Sequence, residues 1–399
     1  MTARHDVVVI GGGIVGLATA LRILEARPDL TVTVVERDER VGAHQSSRNS
    51  GVLHAGLYYP PGSAKARWCR EGKAALERFC AARGVPVERT GKVVVAVDRS
   101  ELPGLRALAD RARANGVQIE EVDAAGLREH EPHVAGIAGL WTPETAVTDF
   151  GAVCVALEEA VHERGGEVRL RCEVRCLDDR DDAVRLTTTG GELTARVVVA
   201  CAGVQSDRLA ALTGDEGDER IVPFRGSWLV LRAARSHLVR GNVYPVPRPG
   251  LPFLGVHVTR RIDGEVWIGP NAVLALAREG AAPWSVRWAD VADTLRFPGV
   301  WRLAARNAGV AVSELWRDRS LHATVREVRR YVPEVTVDDV ARGPWGVRAQ
   351  ALRRDGTLVD DFSLGGDGRV LHVRNAPSPA ATACLSIGAE LRDRALTRL

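Results

Sequence analysis

The chain has 399 residues, 45% apolar and 26% charged, a composition typical of a globular protein with room for two domains or one large composite. Its net charge is only +3 and its arginines are scattered, so no nucleic-acid partner is indicated. No run of about 18 apolar residues is present to span a membrane, and peripheral membrane contact is left open. Seven cysteines without a CxxC pair indicate reduced thiols, and with no export segment before the first strand we expect a cytoplasmic protein.

The first half of the chain begins with a β-α-β unit, which is predicted from a buried apolar run, a helical periodicity and a second apolar run. A segment at 42–61, rich in Gly, Ser and His, follows it, and ordered loops of this length are more often functional than not. The predicted elements are a strand at 6–10, a helix from 14 to about 25, a strand at 31–36, a helix at 64–83, a strand at 92–97 and a helix at 101–115.

The second half begins with a helix that Asp149 caps, because its side chain can accept hydrogen bonds from the free N–H groups of the first turn. Neither repeats nor linkers separate the halves, so we expect two interleaved domains that the chain crosses several times. The further predicted elements are a helix from 150 to about 164, strands at 168–177, 184–188, 196–200, 221–231, 253–258 and 265–268, a mostly helical stretch at 289–331, strands at 358–364 and 371–373, and a helix from about 380 to 395.

A dinucleotide site is indicated by the sequence GGGIVG at 11–16, which contains the pattern GxGxxG between the first strand and the first helix. Gly11 permits the tight turn, Gly13 leaves room for the pyrophosphate, and Gly16 lets helix and strand approach closely. The pyrophosphate would lie at the N-terminus of the helix, where N–H groups are unpaired. Glu36, at the end of the second strand, can accept hydrogen bonds from the ribose hydroxyls of the adenosine.

The choice between NAD and FAD depends on segments far from this turn, because Glu36 would serve either. The small residues CAG at 201–203 end a strand, as needed where backbone passes close to a dinucleotide. The segments 346–348 and 375–379 lead into a helix whose N-terminus could face a flavin. A permanently held flavin uses several distant segments, whereas a nicotinamide site rarely needs them, so FAD is favoured.

These segments belong to a longer series of motifs, in order along nearly the whole chain, that resembles the L-2-hydroxyglutarate oxidase/dehydrogenase family within the D-amino-acid-oxidase-like flavoproteins. The motifs are SRNSGVLHAGLYY at 47–59, PGS at 61–63, GK at 91–92, EPH at 131–133, CAG at 201–203, VPFRG at 222–226, YPVP at 244–247, GPNAV at 269–273, GVRAQ at 346–350, VDDF at 359–362 and NAPSPAAT at 375–382.

The resemblance implies non-covalent FAD and the oxidation of a 2-hydroxy acid to a 2-oxo acid by hydride transfer to flavin N5. L-2-Hydroxyglutarate is the leading substrate, and oxygen or a quinone would accept the electrons. The chain departs from the family at Ser227-Trp228-Leu229, at Leu321 and at Ala146. These departures lie in the presumed substrate half and leave two alternatives open: an oxidase of an amino acid or secondary amine, or of a specialised biosynthetic hydroxy acid. A flavin-holding protein without turnover is a third reading.

The predicted fold class is therefore mixed α/β, with a Rossmann-type FAD-binding domain interleaved with an antiparallel-sheet substrate domain. Residues 1–84, 146–215 and 341–399 are assigned to the FAD-binding domain. Residues 85–145 and 216–340 are assigned to the substrate domain.

The chemistry needs a base for the hydroxyl proton and cations for the carboxylates. His54 is the candidate base because imidazole titrates near neutral pH, although it could instead bond to backbone or be attached to the flavin. Arg225 and Arg348 are candidate carboxylate clamps, since a guanidinium matches a carboxylate in two-point contact. Tyr58, Tyr59 and His257 are expected in the same pocket.

The remaining predicted residues contact the cofactor, and no metal site is expected, since His130 and His133 lack a second ligand pair. The predicted cofactor contacts are Gly11, Gly13, Ile14, Val15, Gly16, Glu36, Arg37, Ser47, Arg48, Asn49, Ser50, Val174, Ala202, Gly203, Gly346, Arg348, Pro379, Ala380 and Ala381.

Overall fold

The computed structural model describes residues 4–180, 182–247 and 255–399. Helices and strands alternate in the first part of the chain, and four consecutive helices follow residue 287. The helices are α1 (Ile14–Ala26), α2 (Ala64–Arg83), α3 (Leu102–Ala114), α4 (Ala124–His130), α5 (Phe150–Glu163), α6 (Ser206–Ala211), α7 (Trp288–Arg296), α8 (Pro298–Arg306), α9 (Ala308–Arg319), α10 (Leu321–Val328) and α11 (Cys384–Leu396).

The strands assemble into two large sheets and one small sheet. They are β1 (Arg4–Ile10), β2 (Val32–Val35), β3 (Val52–Leu53), β4 (Val87–Glu88), β5 (Lys92–Ala96), β6 (Glu120–Asp123), β7 (Ala138–Thr142), β8 (Ala146–Thr148), β9 (Glu167–Arg169), β10 (Val174–Asp179), β11 (Val184–Thr188), β12 (Gly191–Ala200), β13 (Glu219–Leu231), β14 (Asn242–Pro245), β15 (His257–Arg260), β16 (Val266–Gly269), β17 (Val273–Leu274), β18 (Val340–Arg353), β19 (Ser363–Gly365) and β20 (Val370–Asn375).

The first sheet has a parallel core in which β1 lies between β2 and β12, with β9 beyond β2 and β20 beside β12. β1, β2 and the end of β12 are mostly apolar and buried, as expected for strands covered on both faces of a sheet. On one face α1 packs against α5 and α11, and Leu17, Leu157 and Ile387 are buried there in one core cluster. The carboxyl ends of these strands, where ligands bind in open α/β sheets, lie at the glycine turn.

The second sheet is mainly antiparallel, in the order β17-β13-β16-β15-β14-β5-β7-β6, with β18 also paired to β13. β13 and β18 pair antiparallel from Glu219 opposite Arg353 to Leu231 opposite Val340, with a shift of register between Ser227 and Leu229. Val93, Val243 and Ile268 form part of its buried core. The predicted mixed fold, with a Rossmann-type unit beside an antiparallel sheet, is confirmed.

Several predicted elements match the structure closely, including the helix at 64–83 and the Asp149 cap, whose carboxylate accepts from the N–H of Gly151 at 2.7 Å. The strand predicted at 168–177 is wrong, because it is two strands, β9 and β10. Arg171 has a φ of 54° between them, and the N–H groups of Arg171 and Cys172 donate to the carbonyls of Asp38 and Glu36.

β18 was not expected as a strand. From residue 341 it lies in the range assigned to the FAD-binding domain, but it pairs with β13 in the second sheet. The strand predicted at 253–258 lies partly outside the described residues, and β15 begins only at His257. All seven cysteines are free of disulfides.

Candidate active site

A single continuous cavity of about 1230 Å³ joins the glycine turn of the first sheet to side chains of the second sheet. Sites for one small ligand usually measure about 300–1000 Å³. The cavity is therefore large enough for a dinucleotide and a small substrate. The backbone turn at Gly11 lies in one part of it, and His54, Tyr244 and Arg348 line another.

The glycine turn could not be built with larger residues. Gly11 has a φ of 105°, and a Cβ there would lie 2.4 Å from the carbonyl oxygen of Cys201. A Cβ on Gly16 would lie 2.0 Å from the carbonyl oxygen of Gly11. At the start of α1 the Ser46 hydroxyl accepts from the N–H of Ile14 at 3.0 Å. The turn therefore presents bare backbone and the positive end of a helix, which suits a pyrophosphate.

Glu36 is held at the end of β2 by two backbone donors. The N–H of Gly12 donates to its Oε2 at 2.6 Å, and the N–H of Asp38 donates to its Oε1 at 2.9 Å. A carboxylate can accept about four hydrogen bonds, so capacity remains for ribose hydroxyls. Arg37 also lines the cavity, and its guanidinium pairs with Glu279.

His54 is fixed through its backbone on both sides. Its N–H donates to Oγ1 of Thr382 at 3.2 Å, and its carbonyl accepts from the thiol of Cys69 at 3.2 Å. The imidazole lines the cavity, and its Nδ1 is buried with no hydrogen-bond partner among the described residues. Burial, followed by the positive charge of Lys92, holds the pKa of His54 well below its usual value, so the ring is neutral at pH 7.

A stack of aromatic rings and a buried cation lies beside His54. The rings of Tyr244 and His257 stack with centroids 4.0 Å apart. Lys92 is 1% exposed, and its Nζ lies 4.4 Å from the ring centroid of Tyr244 and 5.1 Å from that of Tyr58. Burial lowers the pKa of Lys92 to about 8, so most of it remains charged at pH 7. Burial also lowers the pKa of His257 to about 3, which keeps that ring neutral.

The two candidate carboxylate clamps have different environments. Arg348 on β18 lines the cavity, and although burial lowers its pKa to about 10, it is positive at pH 7. Arg225 on β13 is not among the described residues that line the cavity. Its Nη2 donates to Asp318 at 2.6 Å and its Nη1 to Ser227 at 2.7 Å. Arg225 therefore has a carboxylate partner within the protein, and the structure does not bring it to the site.

Most of the other predicted residues meet in this cavity. Ser47 does not line it, because its hydroxyl donates to the carbonyl of Gly42 at 2.7 Å. The segments 47–50 and 346–348 touch, since a Cβ on Gly346 would lie 2.5 Å from the carbonyl oxygen of Arg48. The predicted residues that line the cavity are Gly11, Gly13, Ile14, Val15, Gly16, Glu36, Arg37, Arg48, Asn49, Ser50, His54, Tyr58, Tyr59, Val174, Ala202, Gly203, His257, Gly346, Arg348, Pro379, Ala380 and Ala381.

Sequence reasoning missed the functional placement of Ser46, Lys92, Tyr244 and Thr382. Lys92 lies in the family motif GK at 91–92, and Tyr244 lies in the family motif YPVP at 244–247. That position is a signal that they have a role, but it does not show that they meet. Their contact arises because β5 and β14 are parallel neighbours, with Tyr244 opposite Val94.

The arrangement fits FAD at both ends of the cavity. At the turn, no side chain could replace Gly11 or Gly16 without a clash. At the other end, Nδ1 of His54 and the hydroxyl of Tyr58 are buried without a partner among the described residues, and a polar ligand there would satisfy them. These features suit a ligand that carries a pyrophosphate at one end and polar atoms at the other, as FAD does.

The family pattern described as DAO, FAD dependent oxidoreductase, matches residues 6–394. The chain belongs to the FAD dependent oxidoreductase family. It is 43% identical to the mitochondrial L-2-hydroxyglutarate dehydrogenase of Caenorhabditis elegans, over 99% of this chain and 94% of that protein. It is 40% identical to the human mitochondrial enzyme of that name, over 100% and 90%. The L-2-hydroxyglutarate dehydrogenase of Indibacter alkaliphilus is 41% identical, over 98% and 99%.

Solved structures show the same fold at lower identity. The FAD-bound L-alpha-glycerophosphate oxidase of Mycoplasma pneumoniae has a TM-score of 0.78 and 21% identity, covering 100% of this chain and 95% of that one. Glycine oxidase from Geobacillus kaustophilus has a TM-score of 0.73 and 19% identity, covering 98% and 95%. At these identities the likeness concerns the fold alone.

These comparisons confirm the family resemblance, the FAD cofactor and the class of oxidoreductase expected from the sequence. They contradict the expected cytoplasmic location, because the relatives from Caenorhabditis elegans and human are named as mitochondrial proteins. That expectation depended on cysteine usage and on the lack of an export segment, and neither separates the cytoplasm from other reducing compartments. Among the described residues, no helix has the length and apolar content to cross a membrane.

Proposed function

We propose that the protein oxidises L-2-hydroxyglutarate to 2-oxoglutarate with FAD as the electron acceptor. The proposal rests on one observation: the neutral, buried imidazole of His54 lines the same cavity as the buried, charged guanidinium of Arg348. The names of the relatives that share about 40% of the sequence support this choice of substrate. Smaller 2-hydroxy acids, amino acids and secondary amines are the alternatives to be tested.

When bound, FAD supplies the acceptor for the hydride that leaves the hydroxyl-bearing carbon. His54 takes the hydroxyl proton at Nδ1, the buried nitrogen that has no partner among the described residues. Loss of the proton and the hydride leaves a carbonyl, so the product is a 2-oxo acid. The backbone contacts of His54 with Thr382 and Cys69 keep the ring in place during this transfer.

Cations of the chain bind and orient the dianionic substrate. Arg348 can form a two-point contact with one carboxylate, because its guanidinium is charged and lines the cavity. Lys92 lies behind Tyr58 and Tyr244 and adds a positive charge to this end of the cavity. Because these charges act in a buried site, their attraction for a dicarboxylate is stronger than it would be in water.

The same charges explain how His54 can be neutral before binding and basic after it. Burial and the charge of Lys92 lower the pKa of His54 in the protein alone. A bound dicarboxylate brings two negative charges close to the ring, and nearby negative charge raises the pKa of a histidine. We infer that substrate binding strengthens His54 as a base at the moment when a proton must be removed.

The electron acceptor for reoxidation is oxygen or a quinone. Turnover with L-2-hydroxyglutarate in air, compared with turnover under argon in the presence of a soluble quinone, separates the two.

The test of the proposed substrate is anaerobic bleaching of the flavin absorbance by a panel of compounds. We expect rapid bleaching by L-2-hydroxyglutarate and much slower bleaching by D-2-hydroxyglutarate, L-lactate and L-glutamate. Bleaching only by L-glutamate or by secondary amines would replace the proposal with an amine oxidase. Failure of every hydroxy acid and amine in the panel would indicate a flavin-holding protein without turnover.

A further inference from the structure

One face of helix α3 lines the cavity and carries a single charged side chain. Gly104, Ala107, Leu108 and Arg111 all line the cavity. Their spacing of i, i+3, i+4 and i+7 places them on one face of the helix. The first three are small or apolar, so the charge of this face belongs to Arg111. Ala107 and Arg111 are also exposed, which places this face at an opening of the cavity.

Arg111 is fixed to the chain segment that carries the candidate base. Its Nη1 donates to the carbonyl oxygen of Tyr58 at 2.9 Å. Just after α3, the side-chain amide of Asn115 donates to the carbonyl oxygen of Tyr59 at 2.8 Å. The end of the helix is therefore attached to the residues that follow His54, and the ring of Tyr58 belongs to the aromatic stack beside that histidine.

Most other cations of the cavity wall already pair with a carboxylate of the chain. The paired cations are Arg37, Lys65, Arg175, Arg208 and Arg374. Arg111 has no carboxylate within ion-pair distance among the described residues, and its bond to Tyr58 uses one of five N–H donors. Arg111 therefore keeps its charge and several donors for a ligand.

A dicarboxylate needs a second cation that it can touch. In the proposed reaction Arg348 binds one carboxylate, and a short carbon chain separates that carboxylate from the other. Lys92 cannot contact the second carboxylate directly, because it lies behind Tyr58 and Tyr244 and is not among the described residues that line the cavity. Arg111 lines the cavity and has donors to spare, so it meets the requirement that Lys92 does not.

We propose that Arg111 binds the second carboxylate of the substrate and sets the preference of the enzyme for dicarboxylates over monocarboxylates of the same length. This inference rests on the proposed oxidation of L-2-hydroxyglutarate. A guanidinium matches a carboxylate in two-point contact, and a positive charge at the opening also attracts a dianion from solution. Because Arg111 is exposed, salt should screen its effect.

The experiment compares L-2-hydroxyglutarate with L-2-hydroxypentanoate, in which a methyl group replaces the second carboxylate. Anaerobic flavin reduction in the flavin-loaded full chain gives the reduction rate divided by Kd for each acid, and the ratio of the two values is the preference. Arg111→Met should lower this preference by about tenfold or more at low salt, with the value for L-2-hydroxypentanoate unchanged within about twofold. An unchanged preference, or an equal loss for both acids, would overturn the proposal.

Two further variants separate the charge of Arg111 from its other effects. Arg111→Gln keeps an amide that can donate to the carbonyl of Tyr58, and it should lose the preference as Arg111→Met does. Retention of the preference by Arg111→Gln would mean that the hydrogen bond sets it, and would overturn the proposal. Arg106→Met is the matched control, because Arg106 is exposed on the opposite face of α3 and does not line the cavity. An equal loss in Arg106→Met would reveal a general effect of charge and would also overturn the assignment.

Binding without turnover gives an independent measurement. Calorimetric titration of the oxidised protein with 2-oxoglutarate and with 2-oxopentanoate should show the same loss of preference in Arg111→Met. Flavin content and far-UV circular dichroism confirm that each variant is folded.

Failure of the proposed function would give a different result from failure of this inference. If L-2-hydroxyglutarate does not reduce the flavin of the unchanged protein, the proposed function is wrong and the role of Arg111 is refuted with it. If the unchanged protein is reduced and Arg111→Met keeps the full preference for the dicarboxylate, only the role of Arg111 is refuted.

Discussion

Arg348 and Arg225 both lie in family motifs, but substitution of Arg348 should weaken substrate binding whereas substitution of Arg225 should lower the stability of the fold. Arg348→Gln removes a charged, buried guanidinium from the cavity. Loss of one partner of a buried, hydrogen-bonded charge pair usually costs about 2 to 5 kcal/mol. Since about 1.4 kcal/mol corresponds to a factor of ten, the Kd of L-2-hydroxyglutarate should rise at least about 30-fold.

Arg225→Gln instead removes a partner of Asp318. That carboxylate keeps its contact with Asn271 at 2.7 Å but loses the guanidinium at 2.6 Å. Each of the two paired side chains is 15% exposed, so the free energy of unfolding should fall by about 1 to 3 kcal/mol, with the Kd unchanged within about twofold.

Both quantities are accessible with the same two proteins. Anaerobic stopped-flow absorbance gives Kd from the dependence of the flavin reduction rate on substrate concentration, and denaturant unfolding gives the stability. A larger increase in Kd for Arg225→Gln than for Arg348→Gln would refute the placement of the substrate beside β18.

Three further outcomes follow from the same geometry. Lys92→Met should raise the pKa of His54, because a positive charge near the ring is lost. Flavin reduction requires neutral His54, so the rate of flavin reduction should begin to fall at a higher pH when the variant is acidified. A pH profile equal to that of the unchanged protein would argue against the influence of Lys92 on His54. Since the pKa of Lys92 is about 8, substrate affinity should fall as pH rises through 8 in the unchanged protein but not in Lys92→Met, as titrations of Kd would show. Gly11→Ala should abolish FAD retention, because its Cβ would lie 2.4 Å from the carbonyl oxygen of Cys201; a flavin-to-protein absorbance ratio equal to that of the unchanged chain would contradict this.

The centre of the first sheet, β1, β2 and the end of β12, was predictable because these strands are mostly apolar and are bounded by signals with a direct physical meaning. The glycines at 11–16 and the Asp149 cap each require a particular backbone, and the structure has that backbone. β18 was not predictable in this way. Its sequence includes Gly343, Pro344 and Gly346, which are depleted in strands, and many of its residues are only partly buried. Its pairing with β13 over most of its length overrides that local preference.

The site shows the same limit. Arg225 and Arg348 were both predicted as substrate clamps because each lies in a family motif. A motif does not show from which face of the sheet a side chain projects. In the paired strands Arg348 stands opposite Phe224, and Arg225 stands opposite Val347. Because side chains alternate along a strand, the two arginines project from opposite faces. The contact between Lys92 and Tyr244 could not be predicted for a similar reason, since it depends on the pairing of the neighbouring strands β5 and β14.

The most direct test of the proposed chemistry is the rate of anaerobic flavin reduction by L-2-hydroxyglutarate in His54→Gln. Gln retains a polar side chain in the buried position but cannot take the hydroxyl proton. The rate should fall by about 10²- to 10⁴-fold while FAD stays bound at full occupancy. A flavin-loaded variant that is reduced within about threefold of the unchanged rate would show that His54 is not the base.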